Sequence, residues 1–396
     1  MNYSKLTDRI VGEGSAAWDL HFQAMQRKAA GEPVIVLSVG DPDFDTPSAV
    51  VDAAVQSLRA GDTHYTAILG IPRLRTAIAK KFSHRSGLAV DAKQVAVLAG
   101  GQCALFSVAQ CLLNPDDEVI VIDPAYVTYE GVFGACGARM VKVPARAENR
   151  FVVQPEDIAA AITPKTRAVL INSPHNPTGA VIPRAIWLRI AELCCQHDLW
   201  LISDEVYGEL IFNGEHISPA TLPGMAGRTA TINSLSKSHA MTGWRLGWVL
   251  GPPLLIEHLG NLGLSMLYGC PEFIQQAACV ALETELPETT QMRTQYRLRS
   301  EAVCQALADA PGIAVLAPQA GMFVMMDIRQ TGLSAQQFAA LLMQRHAVCV
   351  LSGDAFGLQT AGYVRLGMVE PVPVLQEACR RIAALALEFM KETVND

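Results

Sequence analysis

One lysine in the chain is surrounded by residues that can bind a phosphate. Lys237 follows the apolar run of residues 229–232 and lies between two serines in the stretch SLSKSHAMTGWRLGW. Ser234, Ser236 and Arg245 supply the hydroxyl and guanidinium donors that suit phosphate oxygens. A solvated loop lysine is the simpler interpretation of Lys237 alone, but its place after an apolar strand predicts a position at the edge of a sheet, where ligands bind.

A carboxylate follows another apolar run. Asp204 ends the stretch LWLISD, and Tyr207 comes three residues later. A carboxylate at the end of a buried strand loses its hydration and therefore needs a cationic partner. That partner is either a structural arginine or the protonated ring nitrogen of a ligand. A lysine amine that can form a Schiff base, a phosphate site beside it and Asp204 across a crevice together indicate pyridoxal phosphate.

Two further loops at predicted strand ends carry polar groups. In VLAGGQCALF, the backbone N–H groups of Gly101, Gln102 and Cys103 begin a helix and are free to bind a phosphate. An ordinary glycine turn is an equally good interpretation of this stretch alone. In LINSPHNPTG, Asn176 lies in a turn rich in Asn and Pro, for which a simple Asx turn is the alternative.

The middle of the chain alternates short β-branched runs with longer helical patterns, such as residues 103–114 and 184–197. This alternation predicts βαβ units, with a mostly parallel sheet between two layers of helices. The predicted strands are residues 94–100, 118–123, 167–172, 199–204 and 228–233. Because ligands bind beyond the carboxyl ends of such strands, the polar residues named above should meet in one crevice.

The pattern changes after a long helical segment near residues 286–309. Short strands and helices then alternate in a way that predicts a second, smaller α+β domain. We expect an N-terminal arm and part of the small domain in residues 1–47, a large cofactor-binding domain in residues 48–290 and a small C-terminal domain in residues 291–396.

Composition excludes several classes of protein. The net charge is −7 and no basic run occurs, so a nucleic-acid surface is not expected. No apolar stretch is long enough to span a membrane, and the N-terminus lacks the apolar core of a signal peptide. Ten cysteines without paired metal-ligand spacing are typical of reduced residues in a cytoplasmic protein, and we expect no metal site.

The motifs resemble those of class I pyridoxal-phosphate-dependent aminotransferases, which have the aspartate aminotransferase fold (fold type I). The resemblance extends over nearly the whole chain and follows the family in order and spacing. The matching stretches are SVGDPDFDTP, HYTAILGIPRLR, AGGQCAL, DPAYVTYE, NSPHNPTG, SDEVY, SLSKSHAMTGWRLGW, LSGDAFG and VRLGM.

The resemblance implies roles for residues around the cofactor ring. Lys237 is the expected Schiff-base lysine and also the base that moves a proton from the substrate Cα. Asp204 should pair with the ring nitrogen. Tyr207 and Asn176 should donate hydrogen bonds to the phenolate oxygen, and Tyr126 should stack on the ring.

The resemblance also implies a phosphate cup and a homodimer. The backbone of residues 101–103 should bind the phosphate together with Ser234, Ser236 and Arg245. Tyr65 matches the tyrosine that the neighbouring subunit contributes in this family. The active site is therefore expected at a dimer interface.

The substrate should bind beside this cup. By resemblance, Arg365 should bind the substrate α-carboxylate through two hydrogen bonds, with help from the Gly40 amide. A lysine often follows the Gly-Gly pair in aspartate-preferring relatives, but here the residue is the neutral Gln102, which makes a dicarboxylate substrate less favoured. Glu13 and Trp18 should line the entrance for the substrate side chain; a surface charge and a packed indole are the alternatives.

Within the family, the chain resembles bacterial arginine–pyruvate aminotransferases through NSLSKSHAMTGWR, CLLNP, VFGACGAR and MLYG. This implies transfer of the α-amino group of an L-amino acid, arginine, to a 2-oxo acid, pyruvate, in arginine catabolism. An aspartate, alanine or aromatic donor and a carbon–sulfur β-lyase stay open as alternatives. A sensor domain of a transcription regulator is disfavoured because no DNA-binding pattern precedes residue 38.

Overall fold

Strands and helices alternate along most of the chain in the computed structural model, which describes residues 1–11 and 17–392. The strands are β1 (Ile35–Val36), β2 (Val95–Leu98), β3 (Glu118–Asp123), β4 (Arg139–Pro144), β5 (Thr166–Asn172), β6 (Trp200–Asp204), β7 (Thr229–Ser234), β8 (Gly247–Leu250), β9 (Ala314–Leu316), β10 (Phe323–Asp327), β11 (Val348–Cys349), β12 (Leu351–Ser352) and β13 (Tyr363–Gly367). The helices are α1 (Leu6–Arg9), α2 (Ala17–Ala29), α3 (Ser48–Ala60), α4 (Pro72–Ser86), α5 (Gly101–Leu112), α6 (Tyr129–Cys136), α7 (Pro155–Ala161), α8 (Arg184–Gln196), α9 (Pro253–Met266), α10 (Glu272–Glu283), α11 (Pro287–Ala306), α12 (Ala335–His346) and α13 (Val372–Glu392).

The main sheet has seven strands in the order β2-β8-β7-β6-β5-β3-β4. Strands β4, β3, β5, β6 and β7 run parallel, whereas β8 is antiparallel to both of its neighbours. The five predicted strands all occur, and the prediction of a mostly parallel sheet is confirmed. Its one antiparallel strand, β8, was not predicted from the sequence.

Helices cover both faces of this sheet. One apolar cluster joins the sheet to α5, α6 and α9, and another joins it to α8. Every residue of β3 is buried as a result. Burying a Val, Leu or Ile side chain contributes roughly 1.5–3 kcal/mol, so the two apolar layers strongly favour this arrangement. The carboxyl ends of the parallel strands therefore lie along one edge of the sheet.

A second sheet, in the order β12-β13-β10-β9, packs against α11, α12 and α13 in the C-terminal part. Strand β1 pairs in parallel with β11, which joins the segment after α2 to this unit. By contrast, α1 contacts α6, and Arg9 Nε donates to the Gly134 carbonyl at 2.9 Å. The expected boundary after residue 290 falls inside α11, and the division into domains stays a prediction.

None of the described helices combines the length and the apolar character that a membrane crossing requires.

Candidate active site

A cleft lies at the carboxyl ends of β5, β6 and β7, beside the N-terminus of α5. It measures about 960 Å³, counting the part that is open to solvent. Most of the predicted site residues line it. They are Trp18, Gly40, Gly101, Gln102, Tyr126, Asn176, Asp204, Tyr207, Ser234, Ser236, Lys237, Arg245 and Arg365.

Among the described residues, two predicted site residues, Cys103 and Tyr65, are not part of this lining. The Cys103 side chain packs half-buried against the apolar cluster under α5, so only its backbone N–H, in the first helical turn, faces the ligand side. Tyr65 is 84% exposed, and its ring lies 4.9 Å from that of Tyr268. Glu13 lies outside the described residues.

Asp204 ends β6 and is held by two donors. The Tyr129 hydroxyl donates to Oδ2 at 2.8 Å, and the Val206 backbone N–H donates to Oδ1 at 3.3 Å. Burial raises the pKa of the Asp204 carboxyl to about 6, although the Tyr129 hydrogen bond opposes this shift. A cation placed against this carboxylate would restore its ionised form.

Tyr129 is a site residue that the sequence analysis missed. It follows Tyr126 by three residues in DPAYVTYE, and the two rings lie 5.7 Å apart, edge to face. Tyr126 lies in the loop before α6 and Tyr129 begins that helix, so the one local signal was the short distance in sequence to Tyr126, whose ring was expected in the cleft. The bond to Asp204 could not be predicted, because the two residues are 75 positions apart in the sequence.

Asn172, the last residue of β5, also lies in the cleft lining. Its Nδ2 donates to the Asp204 carbonyl at 2.9 Å, and its Oδ1 accepts from the Asn176 N–H at 2.8 Å. One side chain thus fixes the end of β6 relative to the loop after β5.

The Lys237 amine points into the cleft and donates to the Gly40 carbonyl at 2.6 Å. Burial lowers the pKa of Lys237 to about 8, and the nearby charges of Arg365 and Arg245 act in the same direction. At pH 7 about one amine in ten is then neutral, far more than for a solvated lysine. A neutral amine is the form that attacks an aldehyde.

The N-terminus of α5 and the guanidinium of Arg245 lie side by side. Gly100 has a φ of +91°, and a Cβ there would come within 2.3 Å of Arg245 Nη2. Arg245 Nη1 donates to the Thr242 carbonyl at 2.7 Å, which holds the group in place. Free N–H groups of a helix N-terminus beside a guanidinium form an arrangement that binds phosphate.

Arg365 is a buried cation, 4% exposed, without a carboxylate partner among the described residues. Nη1 donates to Asn176 Oδ1 at 3.0 Å and Nη2 to the Ser38 carbonyl at 2.6 Å, while Nε has no partner in that part of the chain. The Phe323 ring lies 4.0 Å from the guanidinium carbon. Burial lowers the pKa of Arg365 to about 10, so it stays charged at neutral pH. A buried charge of this kind is suited to a ligand carboxylate.

Comparison with known proteins assigns the chain to a family. The model for "Aminotransferase class I and II" matches residues 32–382. The chain belongs to this family. Aminotransferases of this family depend on pyridoxal phosphate, so the expected activity class and cofactor are confirmed.

Three relatives illustrate the range of this aminotransferase family. The arginine–pyruvate transaminase of Pseudomonas aeruginosa is 63% identical over 98% of this chain and 99% of its own. The solved aspartate aminotransferase of Thermus thermophilus with maleate has a TM-score of 0.92 and 34% identity, over 97% of this chain and 100% of its own. The aromatic aminotransferase of Pyrococcus horikoshii has a TM-score of 0.88 and 36% identity, over 92% and 99%. The aspartate aminotransferase fold is therefore confirmed.

The cleft of this aminotransferase fits pyridoxal phosphate. Lys237 offers an amine of lowered pKa, and the desolvated Asp204 carboxylate needs a cation such as a protonated ring nitrogen. Ser236 and the Gly101 backbone lie with Arg245 on the cleft wall, where they offer donors to a phosphate. The positive φ at Gly100 leaves no Cβ between the helix N-terminus and the guanidinium.

Proposed function

We propose that this aminotransferase transfers the α-amino group of L-arginine to pyruvate. The observation that carries the proposal is the 63% identity, over almost the full length of both chains, to an arginine–pyruvate transaminase. The relatives named for aspartate or for aromatic amino acids are 33–37% identical. They support transamination as the reaction type, but they say less about which amino acid is the donor.

The charges of the cleft agree with this donor. Among its described lining residues the cations are Lys237, Arg245 and Arg365, and each already has a role toward the cofactor or the α-carboxylate. Gln102 is neutral, and its Oε1 accepts from the Thr128 hydroxyl at 3.0 Å. The described lining has no further cation that could bind a distal carboxylate. It therefore also has no further cation that would repel the guanidinium of an arginine substrate. Pyruvate likewise has no distal carboxylate.

The roles of the residues follow from their positions. When bound, pyridoxal phosphate supplies a ring that withdraws electrons from the substrate Cα. Asp204 keeps the ring nitrogen protonated, and Tyr129 holds that carboxylate in place. Arg365 binds the substrate carboxylate and so aligns Cα. The Lys237 amine takes the proton from Cα and returns it during the transfer.

Around the ring, Tyr126 provides a stacking surface, and Asn176 and Tyr207 offer donors to its phenolate oxygen. The Tyr207 ring is buried, and its hydroxyl forms no hydrogen bond with the described residues, so it is available to a ligand. Trp18 lines the cleft and offers an apolar surface to the methylene groups of the donor, and Glu13 stays the predicted partner of its guanidinium.

We propose that Tyr65 completes the phosphate site of a neighbouring subunit in a homodimer. It does not line the cleft of its own chain, and exposed apolar residues lie at the end of α9 (Leu264 and Met266) and just after it (Tyr268). A patch of this kind is typical of a subunit interface.

A half-reaction screen tests the donor. The cofactor-loaded enzyme is mixed with each amino acid, and conversion of the cofactor aldehyde to its amine form is followed by absorbance. Arginine should give the largest kcat/KM, and pyruvate should restore the aldehyde faster than 2-oxoglutarate or oxaloacetate. A faster reaction with aspartate or an aromatic amino acid contradicts the proposal. Steady release of ammonia and pyruvate from cysteine, without an acceptor, would instead favour a β-lyase.

A further inference from the structure

A second cavity lies on the face of the main sheet opposite to the active site. Asp204 and Ile232 are neighbours in the register of β6 and β7, and so are Ser203 and Thr231. Because side chains alternate along a strand, Thr231 points away from the face that carries Asp204. The rear cavity lies there, between these strands and α4, and measures about 650 Å³ including its part open to solvent.

Two carboxylates, Glu205 and Glu209, line the rear cavity, and Glu205 is fully used by the protein. Glu205 Oε1 accepts from the hydroxyls of Ser203 and Ser218, at 3.0 Å and 2.7 Å. Its Oε2 lies 2.8 Å from His216 Nε2. Glu205 is buried, and three donors satisfy its oxygens, so it has little capacity left for a ligand.

The cations at the rim of the cavity have donors to spare. Lys81 Nζ and Arg85 Nη1 share one oxygen of Glu209, at 3.2 Å and 3.6 Å. Arg85 Nη2 also donates to the Gly208 carbonyl at 2.7 Å. An ammonium carries three N–H groups and a guanidinium five, so both cations keep unused donors.

Two uncharged side chains deeper in the wall also lack partners. Thr231 is 1% exposed, and its hydroxyl forms no hydrogen bond with the described residues. Asn233 accepts from the Ser234 N–H at 2.8 Å, but its Nδ2 donates to none of the described residues. An unpartnered buried polar group costs about 1–3 kcal/mol, so a ligand that accepts from the buried Thr231 hydroxyl would bind favourably.

Ser86, Ser234 and Ser238 also line the cavity, and its apolar part is formed by Ile78, Phe82, Leu235, Trp248 and Leu282. The cavity therefore joins a cluster of spare donors to an apolar surface. We propose that the rear cavity is a second binding site, which takes a short-chain carboxylate. Thr231, Asn233 and the rim cations bind the carboxylate, and the apolar wall packs against its chain. This site is separate from Arg365, which lines the cleft on the other side of the sheet.

Binding of butyrate to the cofactor-loaded enzyme, measured by calorimetry, tests this site. Thr231→Val keeps the side-chain shape and should weaken butyrate binding about threefold to tenfold. Arg85→Gln should weaken it about tenfold because a charge-assisted donor is lost. Arg73→Gln is the matched control: Arg73 also lies on α4 and pairs with Glu283, but outside the cavity wall, so butyrate affinity should stay within about twofold.

Two further measurements separate the possible sites and ligands. Arg365→Lys removes tight carboxylate binding in the front cleft and should leave the rear-site affinity unchanged. 1-Butanol has the apolar chain without the anion, and inorganic phosphate is an anion without the chain. Each should bind at least about tenfold more weakly than butyrate. Without ligand, Thr231→Val should be at least as stable to heat as the parent protein, which excludes misfolding as the cause of weaker binding.

The proposal fails if butyrate binding is lost in Arg365→Lys and unchanged in both Thr231→Val and Arg85→Gln. It also fails if no saturable binding is detected, or if phosphate binds as tightly as butyrate.

Discussion

Asp204 and Arg365 line the same cleft, but the protein satisfies their charges to different degrees. Tyr129 and the Val206 N–H hold the two oxygens of Asp204. Arg365 reaches only an amide oxygen and a carbonyl, and its Nε is unpartnered among the described residues. The acid is therefore positioned before any ligand binds, whereas the arginine keeps a full charge for a substrate carboxylate. Four substitutions test this contrast, from the largest expected effect to the smallest.

Asp204→Asn should lower kcat by about 10²–10³-fold, because a neutral amide cannot keep the ring nitrogen protonated. The same change should stabilise the cofactor-free protein. Burial raises the pKa of Asp204 from 3.8 to about 6, so ionisation of this group lowers the free energy of unfolding as pH rises from about 4 to about 6, and the loss stays constant at higher pH. The gain near pH 7 is up to about 3 kcal/mol. Steady-state kinetics and thermal melting of the cofactor-free protein measure the two effects; full activity would refute the role of Asp204.

Arg365→Lys should raise KM for every amino donor by about 30-fold to 100-fold, with a smaller effect on kcat. Lysine keeps the charge but loses the two-pronged geometry that binds a carboxylate. The effect should be equal for arginine and alanine, since both carry the same α-carboxylate. A loss confined to arginine would show that residue 365 binds the side chain instead.

Tyr129→Phe should lower kcat about fivefold to tenfold by removing one hydrogen bond to Asp204. The hydroxyl stabilises the charged carboxylate, so its loss raises the pKa of Asp204 and moves the acid limb of the pH profile of kcat/KM to higher pH. Tyr3→Phe is a matched control on an exposed ring. A structural role alone would lower stability without moving the pH profile.

Gln102→Lys should lower kcat/KM for arginine about threefold to tenfold and raise it for aspartate, because a new cation repels a guanidinium and attracts a carboxylate. The ratio of the two values measures the effect. An unchanged ratio would show that residue 102 does not contact the substrate side chain.

Much of the fold was predictable because the strands of a parallel sheet are buried on both faces and appear as continuous apolar runs. β3 matches its prediction residue for residue, and β6 differs by one. The edge strand β4 has a single buried residue, Val143, and β8 begins at the end of the stretch that carries Arg245, so neither was predicted. The local sequence therefore indicates which strands are buried on both faces, but it does not identify every strand of the sheet.

The candidate site was predictable where a charged side chain lies at or just after the end of an apolar strand, as Asp204 and Lys237 do. It was not predictable where a contact depends on distant segments. Tyr129 reaches Asp204 only in the folded chain. The Gly40 amide was expected to help bind the substrate, and the structure shows its carbonyl accepting from Lys237, a contact across 197 residues.

The central claim is that Lys237 is the amine that captures the cofactor aldehyde. The cofactor-loaded enzyme is treated with borohydride, digested and analysed by mass spectrometry, with Lys237→Ala as the control. We expect the added cofactor mass on the peptide that contains Lys237, and no such peptide from the variant. Stable attachment at another lysine, or an unchanged yield of the modified protein from Lys237→Ala, would contradict the account.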